Sequence, residues 1–95
     1  MKIIECDGKL VCTLDGHFDT LQSQKLEDEL KAHLKAPQSV VFEMQGVTYV
    51  CSAFLRVCIS VAKIVGAGQF TLRGVTPPIK RVVKMAGMTE LFVCE

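Results

Sequence analysis

The sequence has 95 residues, of which 49% are hydrophobic and 22% are charged, and its formal net charge is +1. This length allows one domain with one core, and the near-neutral charge does not favour nucleic acid or an anionic membrane surface as a partner. No apolar run approaches the roughly 18 residues that span a bilayer, and acidic residues follow the first methionine too early for a signal peptide. We expect a single cytoplasmic domain over residues 1–95.

The number and spacing of the cysteines and the absence of common ligand-binding motifs argue against a metal site and a cofactor site. Five cysteines are present, an odd number, and no two have the C-x-x-C spacing. We therefore expect reduced thiols that act as small core residues, in place of a disulfide framework or a structural zinc site. The sequence also lacks a phosphate-binding loop, a G-x-G-x-x-G and an H-E-x-x-H motif. We predict no metal and no cofactor.

The chain begins with a predicted β-hairpin. Residues 2–6 and 9–14 are β-like runs, and the dipeptide Asp7-Gly8 between them favours a type I′ turn. Residues 15–19 interrupt this pattern, so we expect a loop between the hairpin and the next element.

A helix is predicted to follow this loop. It begins at Thr20, with Asp19 or Thr20 as its N-cap, and Pro37 ends the helical region. Leucines recur at every fourth position on one face of this segment, and charged residues occupy the other faces. The leucines of this stripe are Leu26, Leu30 and Leu34.

The middle of the chain predicts a buried strand and a second helix. Residues 39–44 are mostly apolar, Gln45-Gly46 interrupts them, and residues 47–50 follow. The second helix begins at about Ser52, and glycines at its end stop it. Its narrow polar stripe indicates a helix that lies against the sheet with little exposed surface. The stripe consists of Arg56, Ser60 and Lys63, and the terminating segment is Gly66-Ala67-Gly68.

The last third adds a strand over residues 69–73 and a helix opened by Thr76-Pro77-Pro78 and stopped at Gly87. Residues 91–93 are predicted to be a short strand or an extended tail. The order is β-β-α-β-α-β-α with a further strand at the end. Strands that alternate with helices pair in parallel through right-handed crossovers. We therefore predict an α/β fold, with a mixed sheet of four or five strands packed against helices.

The two histidines do not complete a catalytic arrangement. His33 lies on the predicted first helix, where we interpret it as a boundary residue. His17 lies in the predicted loop after the second strand, where sites are common, and the sequence leaves open whether it is a surface residue or a base. We predict that the domain is not an enzyme.

The most informative segment leads from the buried strand into the second helix. Ser52 is placed to cap this helix, and the plain interpretation is an N-cap serine. The alternative is an exposed hydroxyl whose phosphorylation would add roughly −1.5 to −2 charges, which a helix N-terminus tolerates. Cys51 beside it could have a lowered pKa, which would make it a nucleophile or a redox sensor. A structural thiol is the alternative.

Three segments resemble the STAS family of bacterial anti-sigma-factor antagonists and sulphate-transporter domains. The family pattern hydrophobic-x-Asp-Ser-small-Gly-Leu resembles YVCSAFL at residues 49–55. The pattern Leu-x-Gly-x-Leu-Asp resembles LDGHFD at residues 14–19. The family also has a helix that begins with Ser-Pro and ends with Gly-Leu, and residues 75–88 resemble it. The resemblance covers nearly the whole chain in the right element order, and it implies the STAS fold.

The resemblance also implies a function. In anti-sigma-factor antagonists, the serine after the aspartate is phosphorylated by the anti-sigma factor, a serine kinase, and the unphosphorylated form binds that kinase. By position, the implied phosphoacceptor is Ser52. Two residues depart from the family pattern. Cys51 replaces the aspartate and removes a carboxylate, and Phe54 replaces the glycine with a bulky ring. An exposed Phe54 would suit a protein-binding surface, and a core-facing ring is the alternative.

We therefore predict a regulatory module that binds an anti-sigma factor kinase and is switched at Ser52. Two alternatives remain: a STAS scaffold that is not phosphorylated and forms a homodimer or joins a signalling assembly, and a thiol-based enzyme or redox sensor at Cys51. The main prediction requires an exposed Ser52 beside the segment that follows the hairpin. The predicted partner-binding residues are Asp15, His17, Asp19, Thr20, Cys51, Ala53, Phe54, Arg56 and Thr76.

Overall fold

The computed structural model describes residues 1–34, 38–66, 68–87 and 93–95. The expected helix stop at Pro37 lies outside these residues, as do Ala67 of the second helix stop and most of the expected last strand. No helix in the described residues is long and apolar enough to cross a membrane.

The described strands form one mixed sheet in the chain order β1-β2-β3-β4-β5. β1 pairs antiparallel with β2, and every later pair is parallel. The predicted fold class, the order of elements along the chain and the opening hairpin are confirmed. The strands are β1 Lys2–Cys6, β2 Lys9–Phe18, β3 Ser39–Val50, β4 Phe70–Arg73 and β5 Val93–Cys94.

Three helices contribute to one hydrophobic core on one face of the sheet. They are α1 Thr20–Lys31, α2 Ser52–Val65 and α3 Pro77–Met85. Alternate residues of β2 and β3 point into this core, because successive side chains of a strand face opposite sides of the sheet. The core-facing residues of these two strands are Leu10, Cys12, Leu14, Phe18, Val40, Phe42, Met44, Val47 and Val50.

Both central strands are longer than predicted. β2 continues through residues 15–18, which we expected to form a loop, and β3 runs without a break through Gln45-Gly46. The register between them shifts twice, and β3 gains one residue at each shift. Glycine permits this geometry, since Gly16 has φ 84°, and a Cβ on Gly46 would lie 3.1 Å from the Cβ of Asp15. The glycines that looked like strand breaks are therefore parts of β-bulges.

The three helix starts agree with the sequence, and only the N-cap of α2 differs. Asp19 caps α1, because its Oδ1 accepts a hydrogen bond of 2.9 Å from the backbone N–H of Gln22. α3 begins at Pro77 as predicted. The prediction that Ser52 caps α2 is wrong. Cys51 has the extended backbone of an N-cap, with φ −115° and ψ 178°, and Ser52 is the first helical residue.

Phe54 corrects the predicted partner-binding surface. Its side chain is fully buried, with its ring centroid 5.3 Å from that of Phe18 and 6.2 Å from that of Phe42. Position 54 shares a helix face with the buried Val57, Cys58 and later core residues of α2. The ring therefore fills the space between α2 and the sheet and is not available to a partner.

The N-caps of α1 and α2 predict that two single substitutions differ in their effect on the free energy of unfolding. Asp19→Ala removes a side-chain cap and should lower the free energy of unfolding by about 1 kcal/mol. Ser52→Ala removes no cap and should change it by less than about 0.5 kcal/mol. Urea unfolding followed by circular dichroism measures both. A loss at Ser52 as large as that at Asp19 would contradict the assignment of Cys51 as the N-cap residue of α2.

The burial of the Phe54 ring predicts a larger loss of stability when this residue is substituted. Phe54→Ala should destabilise the fold by about 3–5 kcal/mol, since it removes a large buried side chain and leaves a cavity. Leu21→Ala is the matched control, because Leu21 is 62% exposed and its loss should cost less than about 0.5 kcal/mol. Thermal and urea unfolding measure both variants, and equal losses would show that position 54 is not part of the core.

Candidate functional site

The candidate site lies at the edge of the sheet where β2 and β3 both end. The last register pair joins Phe18 to Val50, and the backbone N–H of Cys51 donates to the carbonyl of Phe18 at 3.2 Å. α1 begins two residues after Phe18, and α2 begins two residues after Val50. Parallel neighbours end at the same edge, so the segment after the hairpin and the start of α2 lie side by side, as expected from the sequence.

Ser52 is exposed at the first position of α2. The unpaired amides of a helix start make this a favourable place for negative charge. Arg56 lies one turn further along and is also exposed, and side chains four residues apart on a helix are neighbours. The start of α2 and the guanidinium of Arg56 would therefore both favour negative charge at this position.

A small cleft of about 100 Å³ lies between the starts of α1 and α2. It is wide enough for a few atoms only, so it is not the pocket of an ordinary enzyme substrate. Hydroxyl, amide, carboxylate and guanidinium groups reach it from the two helices. Its lining residues are Thr20, Ser23, Gln24, Glu27, Ala53, Arg56 and Val57.

An aromatic pair stands next to this edge. The rings of His17 and Tyr49 are stacked, with centroids 4.2 Å apart and planes inclined by 13°, and both side chains are exposed. His17 lies in β2 and not in the loop that the sequence predicted. The sequence analysis missed Tyr49, because a register shift next to it breaks the simple alternation of inward and outward residues.

The remaining predicted residues divide into two groups. Asp15, Asp19 and Thr20 are exposed on the segment that leads into α1, and Ala53 is half-buried at the start of α2. Thr76 is not brought to this edge. Thr76 is the N-cap residue of α3, shortly after β4. The last residue of β4 pairs with Glu43 of β3, which lies seven positions before the end of β3.

The Cys51 thiol has a distinct environment. Burial acts to raise its pKa, but backbone hydrogen bonds from Phe54 and Ala53, together with the hydroxyls of Ser23 and Thr20, lower the pKa below its ordinary value. These groups stabilise the thiolate as hydrogen-bond donors.

The other thiols contrast with Cys51. Burial raises the pKa of Cys12 to about 12, and burial also raises the pKa of Cys58. At Cys94 burial outweighs the opposing effect of Lys80, so its pKa is raised as well. Of the four thiols Cys12, Cys51, Cys58 and Cys94, only that of Cys51 has a pKa below its ordinary value. The described part of the chain holds no cluster of three or more histidine, cysteine or acidic residues suited to a metal ion.

Three comparisons place this arrangement among known proteins. A family model described as "Mlab, STAS domain" matches residues 5–93. BtrV of Bordetella bronchiseptica, provisionally named an anti-sigma factor antagonist, is 32% identical over 89 residues, which cover 90% of this chain and 77% of BtrV.

The solved structure of the anti-sigma factor antagonist SpoIIAA in its unphosphorylated form superposes with a TM-score of 0.65. The match covers 88% of this chain and 81% of SpoIIAA at 10% identity, so it concerns the fold alone. The family match spans nearly the whole chain and agrees with the observed sheet and helices. The chain belongs to the STAS domain family.

Proposed function

We propose that this STAS domain is a regulatory binding module of the anti-sigma-factor-antagonist type. It binds an anti-sigma factor kinase in the cytoplasm through the edge where β2 and β3 end, and phosphorylation of Ser52 turns this binding off. The domain has no catalytic activity of its own in this proposal. The observation that carries it is the exposed hydroxyl of Ser52 at the first position of α2, in a chain similar to BtrV.

The physics of the switch follows from this position. A phosphoryl group adds roughly −1.5 to −2 charges and three acceptor oxygens. The N-terminus of α2 tolerates this charge, so the domain keeps its fold. A partner surface fitted to a neutral hydroxyl would have to desolvate the phosphate on binding, and such a cost is not recovered without a matching cation. Phosphorylation therefore weakens association without unfolding the protein.

The surface around Ser52 has the composition of a protein interface. The stacked rings of His17 and Tyr49 form a flat aromatic platform on the same edge, and tyrosine is enriched among the residues that dominate binding energy. Asp15, Thr20 and Arg56 add exposed polar groups on the adjoining segments. Exposed aromatic side chains together with polar ones are typical of a binding surface between proteins.

The first test maps the modification. Incubation with an anti-sigma factor kinase from the same genome and ATP should place one phosphate on Ser52, located by peptide mass spectrometry, and Ser52→Ala should remain unmodified. Phosphate at another residue, with Ser52 unmodified in the wild-type protein, would contradict the switch.

The matching binding measurement uses the same kinase without ATP, by isothermal titration calorimetry. Ser52→Asp should weaken affinity by roughly tenfold or more, because it places a charge against a surface fitted to a hydroxyl, whereas Ser52→Ala should bind like the wild type. Ser60→Asp adds the same charge at an exposed position two turns along α2 and should have little effect. Equal affinity of all four proteins would favour a STAS scaffold that is not switched by phosphorylation.

Tyr49 provides a separate test of the surface. Tyr49→Ala should weaken kinase binding by about 1–2 kcal/mol, roughly a factor of ten. Ile64→Ala is the matched control, since Ile64 is 47% exposed against 44% for Tyr49 and lies near the other end of α2. Calorimetric titration of both variants measures the difference. Unchanged affinity for Tyr49→Ala would remove the aromatic pair from the interface.

A further inference from the structure

Charge is distributed unevenly along this chain. Residues 44–89 contain six lysines and arginines and no aspartate or glutamate, whereas residues 1–43 contain eight acidic and five basic residues. A net charge close to zero is compatible with a strong local field of one sign, which attracts groups of the opposite sign. The structure places three of the six cations on one short helix, α3. The basic character of this segment is therefore concentrated there.

The three cations of α3 have no anionic partner. Lys80, Arg81 and Lys84 are exposed, and α3 carries no acidic residue. Within the described residues none of them forms an ion pair, whereas Arg73 of β4 is held by Glu43 at 3.0 Å. Lys80 and Lys84 are four positions apart, a spacing at which like charges on a helix repel each other. An anionic group bound at α3 would relieve this repulsion.

Exposed apolar side chains stand among these cations. Met85 is 82% exposed and Val82 is 40% exposed, whereas Ile79 and Val83 of the same helix are buried in the core. Met85 lies four positions after Arg81, so the two side chains are neighbours on the helix. Methionine suits surfaces that bind other proteins, because its flexible thioether adapts to the partner. A partner that carries both acidic and apolar side chains would therefore match this face of α3.

A cleft of about 440 Å³ lies along the first part of α3. It combines apolar and cationic side chains, and none of the lining residues that the structure describes is acidic. They are Val75, Pro77, Lys80, Arg81 and Lys84. A bilayer is flat on this scale and does not fill a concave surface, whereas a polypeptide can insert side chains into it. The shape therefore favours a protein segment, and the charge favours an acidic one.

We propose that α3 is a docking surface for an acidic segment of a partner protein. Carboxylates of the segment pair with the three cations of α3, and an apolar side chain between them packs against the cleft and Met85. This surface is separate from the edge at Ser52, since Thr76, the N-cap residue of α3, is not brought to that edge. Docking at α3 therefore does not depend on the proposed phosphorylation switch.

The test uses a fluorescent synthetic peptide built from Glu-Leu-Glu repeats, and fluorescence anisotropy measures its affinity. The double variant Lys80→Glu and Lys84→Glu should bind it at least about tenfold more weakly, because attraction becomes repulsion at two positions. The matched control, Lys25→Glu with Lys63→Glu, makes the same change in net charge at exposed positions of α1 and α2. It should weaken binding by less than about threefold, because salt screens distant charges. Equal losses in the two double variants would overturn the proposal, since binding would then follow net charge alone.

Two further measurements test the kind of partner. Met85→Ser should weaken peptide binding by roughly threefold, because it removes apolar contact area, whereas Leu21→Ser, at a residue of α1 that is 62% exposed, should bind like the wild type. All these substitutions are at exposed positions, and circular dichroism checks that each variant is folded. Phosphatidylglycerol vesicles form the second arm, and the wild-type protein should not sediment with them at physiological salt. Sedimentation with the vesicles that is lost in the α3 double variant would assign this face to a membrane and overturn the proposal.

Discussion

The parallel pairing of β2 with β3 is the constraint on which the candidate site depends. Because both strands run in the same direction, their ends meet at one edge, and the hydrogen bond from Cys51 to the carbonyl of Phe18 joins the two segments there. α1 and α2 begin immediately afterwards, so two helix N-termini lie beside each other. The core below them is formed by the same pairing, since Phe18 and Val50 point inward while His17 and Tyr49 remain exposed.

The bulges between these strands decide which side chains face solvent. An extra residue in one strand shifts the alternation of all residues after it. Two such shifts place Tyr49 opposite His17 and bring their rings into contact. Thr48 is the extra residue at the second shift, and its hydroxyl donates to the carbonyl of Gly16 at 3.2 Å, which joins the two strands at this irregularity. The surface beside Ser52 is therefore built by backbone irregularity as much as by side-chain identity.

The sequence was sufficient for features that depend on local patterns. The order of elements, the Asp7-Gly8 hairpin, the cap at Asp19 and the start of α3 at Pro77 were all predicted, because spacing and turn chemistry act over a few residues. Strand length and helix capping at α2 were not. Asp15-Gly16 and Gln45-Gly46 look like breaks locally, and pairing across more than thirty residues of chain keeps them in the sheet. The same pairing ends β3 at Val50, so the cap position falls on Cys51 despite the stronger capping preference of serine.

The position of Cys51 bears on the proposed switch at Ser52. Cys51 is the N-cap residue of α2, and Ser52 follows it as the first helical residue. The family pattern has an aspartate at this place, and this chain has a cysteine, so the residue before Ser52 carries no carboxylate. A phosphate on Ser52 would therefore meet the unpaired amides at the start of α2 without a neighbouring carboxylate that repels it.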